Sequence, residues 1–110
     1  MTDLKRLTAG ILKFRDARDW KQFHKPKDMA LSLVLEAAEL LEHFQWKDGD
    51  KALEHVRKNR EAVADELADV LYWALLLSHD LGIDLEKACS KKMKKNAKKY
   101  PVKKYKGRSN

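Results

Sequence analysis

A single cysteine, Cys89, is all that this chain of 110 residues carries, so no intrachain disulfide can form. That absence suits a reducing compartment. With no secretory apolar segment after Met1-Thr2-Asp3-Leu4-Lys5-Arg6, a cytoplasmic location is expected. Cys89 has no histidine beside it in the sequence, which favours a small core or interface residue over a nucleophile. Long apolar runs are missing too. The longest uncharged one, Val70 to Ser78, is far too short to span a bilayer, so no membrane partner is expected. No Gly-rich phosphate loop, no Gly-x-Ser-x-Gly and no Cys-x-x-Cys occurs. Acids are absent from residues 90–110, where ten Lys or Arg fall; against a total of +7, the first 89 residues carry a formal −3.

What is present describes a folded helical domain. With 44% hydrophobic and 37% charged residues the chain belongs with globular proteins, not disordered ones. Its length is that of one domain, read as 1–102, with a basic tail over 103–110. The periodicity predicts four helices and no strands. Thr2 caps a first helix to about Arg18, on which Leu4, Leu7, Ile11, Leu12 and Phe14 recur at helical spacing. Trp20 to Pro26 breaks the period, and Pro26 or Asp28 opens a second helix to about Trp46, stopped by Gly49 in the C′ role. A long third helix is expected from about Asp50 to Leu81, with a break near Lys58-Asn59, ended by Gly82. Asp84 caps a fourth that stops before Pro101. The second helix is apolar nearly all round from Met29 to Leu41. A helix without a wet face must be covered on every side, so a bundle completed by oligomerisation is expected.

The chemistry lies in four acids. Glu36 and Glu39, then Glu66 and Asp69, form two i, i+3 pairs, each on one side of its helix. Glu36 shares its face with Met29, Leu33 and Leu40; Glu66 shares its own with Val63, Val70, Trp73 and Leu77. A carboxylate taken out of water costs several kcal/mol, and neighbouring ones repel, so such acids must bind protons or a cation. Three readings compete. Surface charge suits Glu42, Glu54 and Glu61 but fits Glu36 and Glu66 badly. A di-iron or di-manganese site calls for Glu-x-x-His on two helices, which the chain lacks; His43 lies four residues after Glu39. An all-oxygen cluster for Mg²⁺ or Mn²⁺, sharing its shell with substrate phosphates, matches the ligand types best.

Phosphate chemistry also accounts for the remaining features. A cluster of acids repels a free nucleotide unless cations compensate, and Lys92, Lys95, Asn96 and Lys99 recur at helical spacing on the fourth helix. Trp20, Phe23, His24 and Trp46 lie in or beside the breaks flanking the second helix, where aromatic rings can wall a base pocket. Two other functions compete with catalysis: a non-catalytic metal-binding module, and a nucleic-acid binder using the basic C-terminal segment. The second leaves the acid pairs without a purpose, so nucleic acid is not the expected partner.

Four strings then carry a resemblance over nearly the whole chain, from about Leu7 to Tyr105. They are Arg18-Asp19-Trp20-Lys21-Gln22-Phe23-His24-Lys25-Pro26-Lys27, Glu36-x-x-Glu39 through Phe44-Gln45-Trp46, Glu66-x-x-Asp69-x-x-x-Trp73, and Lys92 through Asn96 to Tyr100-Pro101. In that order they resemble the MazG-like, all-α nucleoside triphosphate pyrophosphohydrolases, nearest to the branch of dCTP pyrophosphatase type. The resemblance implies a Mg²⁺-dependent hydrolase that cleaves a nucleoside triphosphate, a pyrimidine deoxynucleotide such as dCTP or a modified form, to the monophosphate and pyrophosphate. It implies a homodimer or homotetramer. Glu36, Glu39, Glu66 and Asp69 match the metal ligands, and Trp20, Phe23, His24, Trp46, Lys92 and Asn96 match nucleotide-contacting positions. Trp73 falls where relatives often carry a tyrosine near the substrate, and Ile11 where some carry a polar residue on the base side. Glu39 is the expected proton acceptor for the attacking water, with Lys92 and Asn96 holding the leaving pyrophosphate.

Overall fold

The computed structural model describes residues 2–108 and, within them, only helices and turns. Six α-helices follow in order, α1 (Asp3–Ala17), α2 (Pro26–Glu42), α3 (Gly49–Lys58), α4 (Arg60–Asp80), α5 (Leu85–Lys99) and the single turn α6 (Val102–Tyr105), with a 3-10 turn, Lys21–Phe23, between the first two. Ser109 and Asn110, the end of the expected basic tail, lie outside the described residues.

The helix ends follow from side-chain chemistry. Thr2 Oγ1 accepts the Lys5 N–H at 3.2 Å and caps α1; Asp84 does the same for Lys87 on α5 at 3.1 Å. Asp19 takes a left-handed turn, φ 54°, after α1. The Asp19 N–H then reaches Asp16 O at 3.1 Å and the Trp20 N–H reaches Arg15 O at 3.2 Å, a Schellman close. Gly82, φ 69°, closes α4 in the same way, with the Ile83 N–H on Ser78 O at 2.8 Å. Aspartate tolerates the left-handed region better than most residues, and glycine enters it without strain. Pro26 is the first residue of α2, where its missing N–H costs nothing.

The break expected near Lys58-Asn59 is found, and two other boundaries differ from the sequence reading. The long third helix is two, α3 and α4, separated at Asn59, whose φ of −124° and ψ of 33° leave the helical region. The Asn59 side chain donates to His55 O at 3.0 Å, a local bond that competes with helix continuation. Helix α2 ends at Glu42 rather than near Trp46, because its last turn tightens. His43 and Phe44 donate to Leu40 O and Leu41 O, three residues back, at 3.2 and 2.9 Å. Gly49, expected to stop α2, instead opens α3.

Helix α4 is the centre of the molecule. It packs most extensively against α2, then against α1 and α3. Met29 of α2 and Val63, Leu75 and Leu76 of α4 are buried between them, each worth about 1.5–3 kcal/mol in hydrophobic burial. Arg15 of α1 is buried too, at 2% exposure, and meets Asp80 of α4 in a two-pronged ion pair of 2.7 and 3.1 Å. Helix α5 packs little against this body. The radius of gyration is accordingly 17.2 Å, where a compact domain of this length would have about 13 Å. Much apolar surface stays open on the central pair, including Val34 (63%) and Leu35 (61%) on α2 and Leu67 and Leu71 on α4.

Candidate functional site

Where α2 crosses α4, Glu36 and Glu39 of the first meet Glu66 of the second, with one carboxylate oxygen from each within 4.8 Å of the others. The i, i+3 spacing sets both α2 acids on the side facing α4. Glu36 and Glu66 are half-buried, and Oε2 of each is shut off from solvent with no hydrogen-bond partner. Glu39 is exposed at the rim. Asp69, one turn beyond Glu66 and also exposed, lies outside the 4.8 Å triplet but close enough for its charge to act on Glu36.

The electrostatics register this crowding. The Glu36 carboxyl is pushed up to about 7, by burial first, then by the facing Glu66 carboxyl and the charges of Asp69 and Glu39. Near neutrality the cluster therefore gains by taking up positive charge. Two orphaned, buried carboxylate oxygens and an all-oxygen donor set fit a hard divalent cation such as Mg²⁺ or Mn²⁺.

Beside the cluster a cleft of about 700 Å³ opens between α1, α2 and α4. Helix α2 lines it with Glu36, α4 with Asp69, Tyr72 and Trp73, the turn after α1 with Trp20, and α1 itself with Arg6, Leu7, Gly10, Ile11 and Phe14. Phe14 meets Trp20 edge-on at 5.7 Å and Tyr72 at 6.4 Å, and the Arg18 guanidinium lies 3.7 Å above the Phe14 ring. The Schellman turn at Asp19 brings Trp20 back against Phe14, a common contact in that motif. His24 packs edge-on against Trp73 at 5.3 Å; its buried Nδ1 has no partner, and burial followed by the Arg15 charge lowers its pKa. A second cleft, of about 510 Å³, lies between the start of α1 and the α4–α5 junction and holds none of the four acids.

Of the residues named from the sequence, the structure gathers Glu36, Glu39 and Glu66, with Asp69, Trp20 and Trp73 around the adjoining cleft and His24 behind Trp73. It does not bring Phe23, Trp46, Lys92 or Asn96 to the cleft. Phe23 and Trp46 are 64% and 85% exposed, and the other two lie on the outlying α5. The sequence reading missed most of the α1 wall and the Arg15–Asp80 pair. Only Ile11 of that wall is expected on the base side, from the resemblance; the periodicity assigns Leu7 and Phe14 to helix packing, yet both line the cleft. The ion pair was not detectable, since its partners are 65 residues apart.

Comparison with known proteins follows the same lines. The model of the MazG-like family matches residues 31–110. The chain is 41% identical over 106 residues to dCTP pyrophosphatase 1 of Rattus norvegicus and 40% over 104 residues to that of Homo sapiens. Each alignment takes in 93% of this chain, which spans 59% of the length of those relatives. A crystal structure of a pyrophosphatase from Archaeoglobus fulgidus superposes with a TM-score of 0.87 at 38% identity, covering 92% of this chain and 94% of that one.

Proposed function

The chain belongs to the MazG-like family, and from that premise we propose that it hydrolyses a nucleoside triphosphate to the monophosphate and pyrophosphate with the help of Mg²⁺. The observation that carries this reading is the pair of orphaned oxygens on Glu36 and Glu66, opening on an aromatic cleft. The relatives named dCTP pyrophosphatase make a pyrimidine deoxynucleotide, dCTP or a modified form, the proposed substrate.

Glu36, Glu39, Glu66 and Asp69 would hold the cation. The chemistry it supplies when bound is neutralisation of phosphate charge and acidification of water. The rest falls to the protein. Trp20, Tyr72 and Trp73 clamp the base, and His24, packed edge-on at 5.3 Å, fixes the orientation of the Trp73 ring. Glu39, the exposed member of the triplet, accepts the proton of the attacking water. Tyr72 and the apolar residues of α1 keep bulk water from the base side of the cleft.

Lys92 and Asn96 serve the departing pyrophosphate only if a second copy supplies them. The cleft of their own protomer is not lined by them, and α5 hardly touches its own body. A homodimer or homotetramer would cover the exposed Val34, Leu35, Leu67 and Leu71, and the same assembly is where a second copy could supply these two side chains. Among the described residues no helix is long and apolar enough to cross a membrane.

The test is pyrophosphate release from the eight standard nucleotides and several base-modified ones, with Mg²⁺ and with EDTA. Turnover that needs the cation and favours pyrimidine deoxynucleotides is the expected result. No release from any of them would refute the reading.

A further inference from the structure

Gly10 stands in the middle of α1, away from both caps, and its φ is not positive. A methyl group added at its Cα would meet no atom within 4 Å. Neither backbone conformation nor close packing within the protomer therefore calls for glycine, which weakens a helix interior relative to alanine. Its surroundings suggest another reason. Arg6, Gly10 and Phe14 follow one another at i, i+4 spacing and, with Leu7 and Ile11, form the α1 wall of the cleft. Gly10 is a gap in a row of large side chains, in the same cleft as Glu36, Asp69, Tyr72 and Trp73. The helical backbone at the gap spends its N–H and C=O within the helix, so the gap offers room and no hydrogen bond.

We propose that Gly10 is a specificity-determining residue: the gap admits a ring methyl or similar apolar bulk on the base, which any side chain at this position would exclude. The proposal rests on the reading of the cleft as a nucleoside triphosphate site. Its selectivity is one of shape, and a single methyl group in an apolar pocket changes discrimination by roughly 10-fold or more.

The experiment compares the wild type with Gly10→Ala and Gly10→Leu on nucleotide pairs that differ by one ring methyl, dUTP against dTTP and dCTP against 5-methyl-dCTP. The quantity read is the ratio of kcat/KM within each pair. Gly10→Ala is expected to shift the ratio against the methylated member by roughly 10-fold, through KM rather than kcat, and Gly10→Leu by more. The Tm of Gly10→Ala should rise by a few degrees, since alanine is the better helix former. That combination, a firmer protein with a narrower substrate range, would not arise from a structural role. Unchanged ratios in both variants would overturn the proposal, as would equal losses on both members of a pair. A change in oligomeric state would overturn it too, by making Gly10 a packing residue between copies. If the wild type hydrolyses no nucleotide, the reading of the cleft fails and this proposal with it. If the wild type is active and only the ratios stay flat, this proposal alone fails.

Discussion

Helix pair α2–α4 and helix α5 both concentrate charge of one sign: the first gathers Glu36, Glu39, Glu66 and Asp69 at its crossing, and the second carries seven lysines. On α2–α4 two of the acids are half-buried, each with an oxygen that nothing satisfies, and the Glu36 carboxyl is pushed up to about 7. On α5 every lysine stands in solvent, on a helix that barely touches the body. Water screens the second group and leaves it indifferent to its neighbours. Partial burial denies the first group that screening and makes it depend on a compensating charge. Charge density alone, which composition reports, does not separate a reactive cluster from a solvated surface; desolvation does.

Substitutions can break that contrast, beginning where the effect should be largest. Glu66→Gln keeps the shape and removes the charge; turnover should fall by about 100-fold or more, while the Tm without metal should not drop, since a repulsion is relieved. Loss of stability in parallel with activity would instead mark Glu66 as structural. Arg15→Ala removes the cation of a pair that is buried on one side and leaves Asp80, at 16% exposure, uncompensated. Urea titration should show a loss of about 3–5 kcal/mol, with the active fraction per folded molecule retained.

The pH dependence sharpens the comparison further. Between the ordinary glutamate value of 4.5 and about 7, folded metal-free protein holds a proton on Glu36 that the unfolded chain has released. Stability from this group is therefore full below pH about 4.5 and is lost as pH rises through about 7. His24 and His55, both lowered first by burial, act in the opposite sense and lose stability as pH falls below 6.5. The clean readout is the Tm of EDTA-treated wild type minus that of Glu36→Gln. It should fall from about pH 5 to about pH 8, and Mg²⁺ should restore it at the upper end. The smallest effect separates two lysines of α5. Lys92→Ala should raise KM by about 10-fold, the worth of one charge-assisted hydrogen bond, whereas Lys94→Ala should stay within about twofold. Equal effects would mean that α5 acts only through its bulk charge.

Local chemistry made much of the fold readable. The Thr2 and Asp84 caps, Pro26 at the head of α2, the Gly82 stop and the acid pairs at i, i+3 all act over one or two helical turns, and each was legible from neighbouring residues. The break at Asn59 was legible only as a weak point, because continuing or ending a helix there hinges on one side-chain bond to His55 O. The end of α2 was misplaced because a tightened last turn has no strong residue signature. At the site, the four acids and Trp20, Trp73 and His24 could be named, and apolar neighbours on their own faces already marked Glu36 and Glu66 as poor surface charges. What the chain did not give is the degree of burial, with Glu36 half-buried at the α2–α4 crossing and Glu39 exposed at its rim.

Residue spacing was thus enough to settle the helical character, the positions of the caps and the pairing of carboxylates along each helix, since these are short-range matters of hydrogen bonding and periodicity. How much water each acid loses, which wall of α1 becomes a cleft, and that Arg15 finds Asp80 are consequences of α1 and α2 being laid across α4. Burial is a property of that arrangement, created by partners distant along the chain, and no window of neighbouring residues contains it.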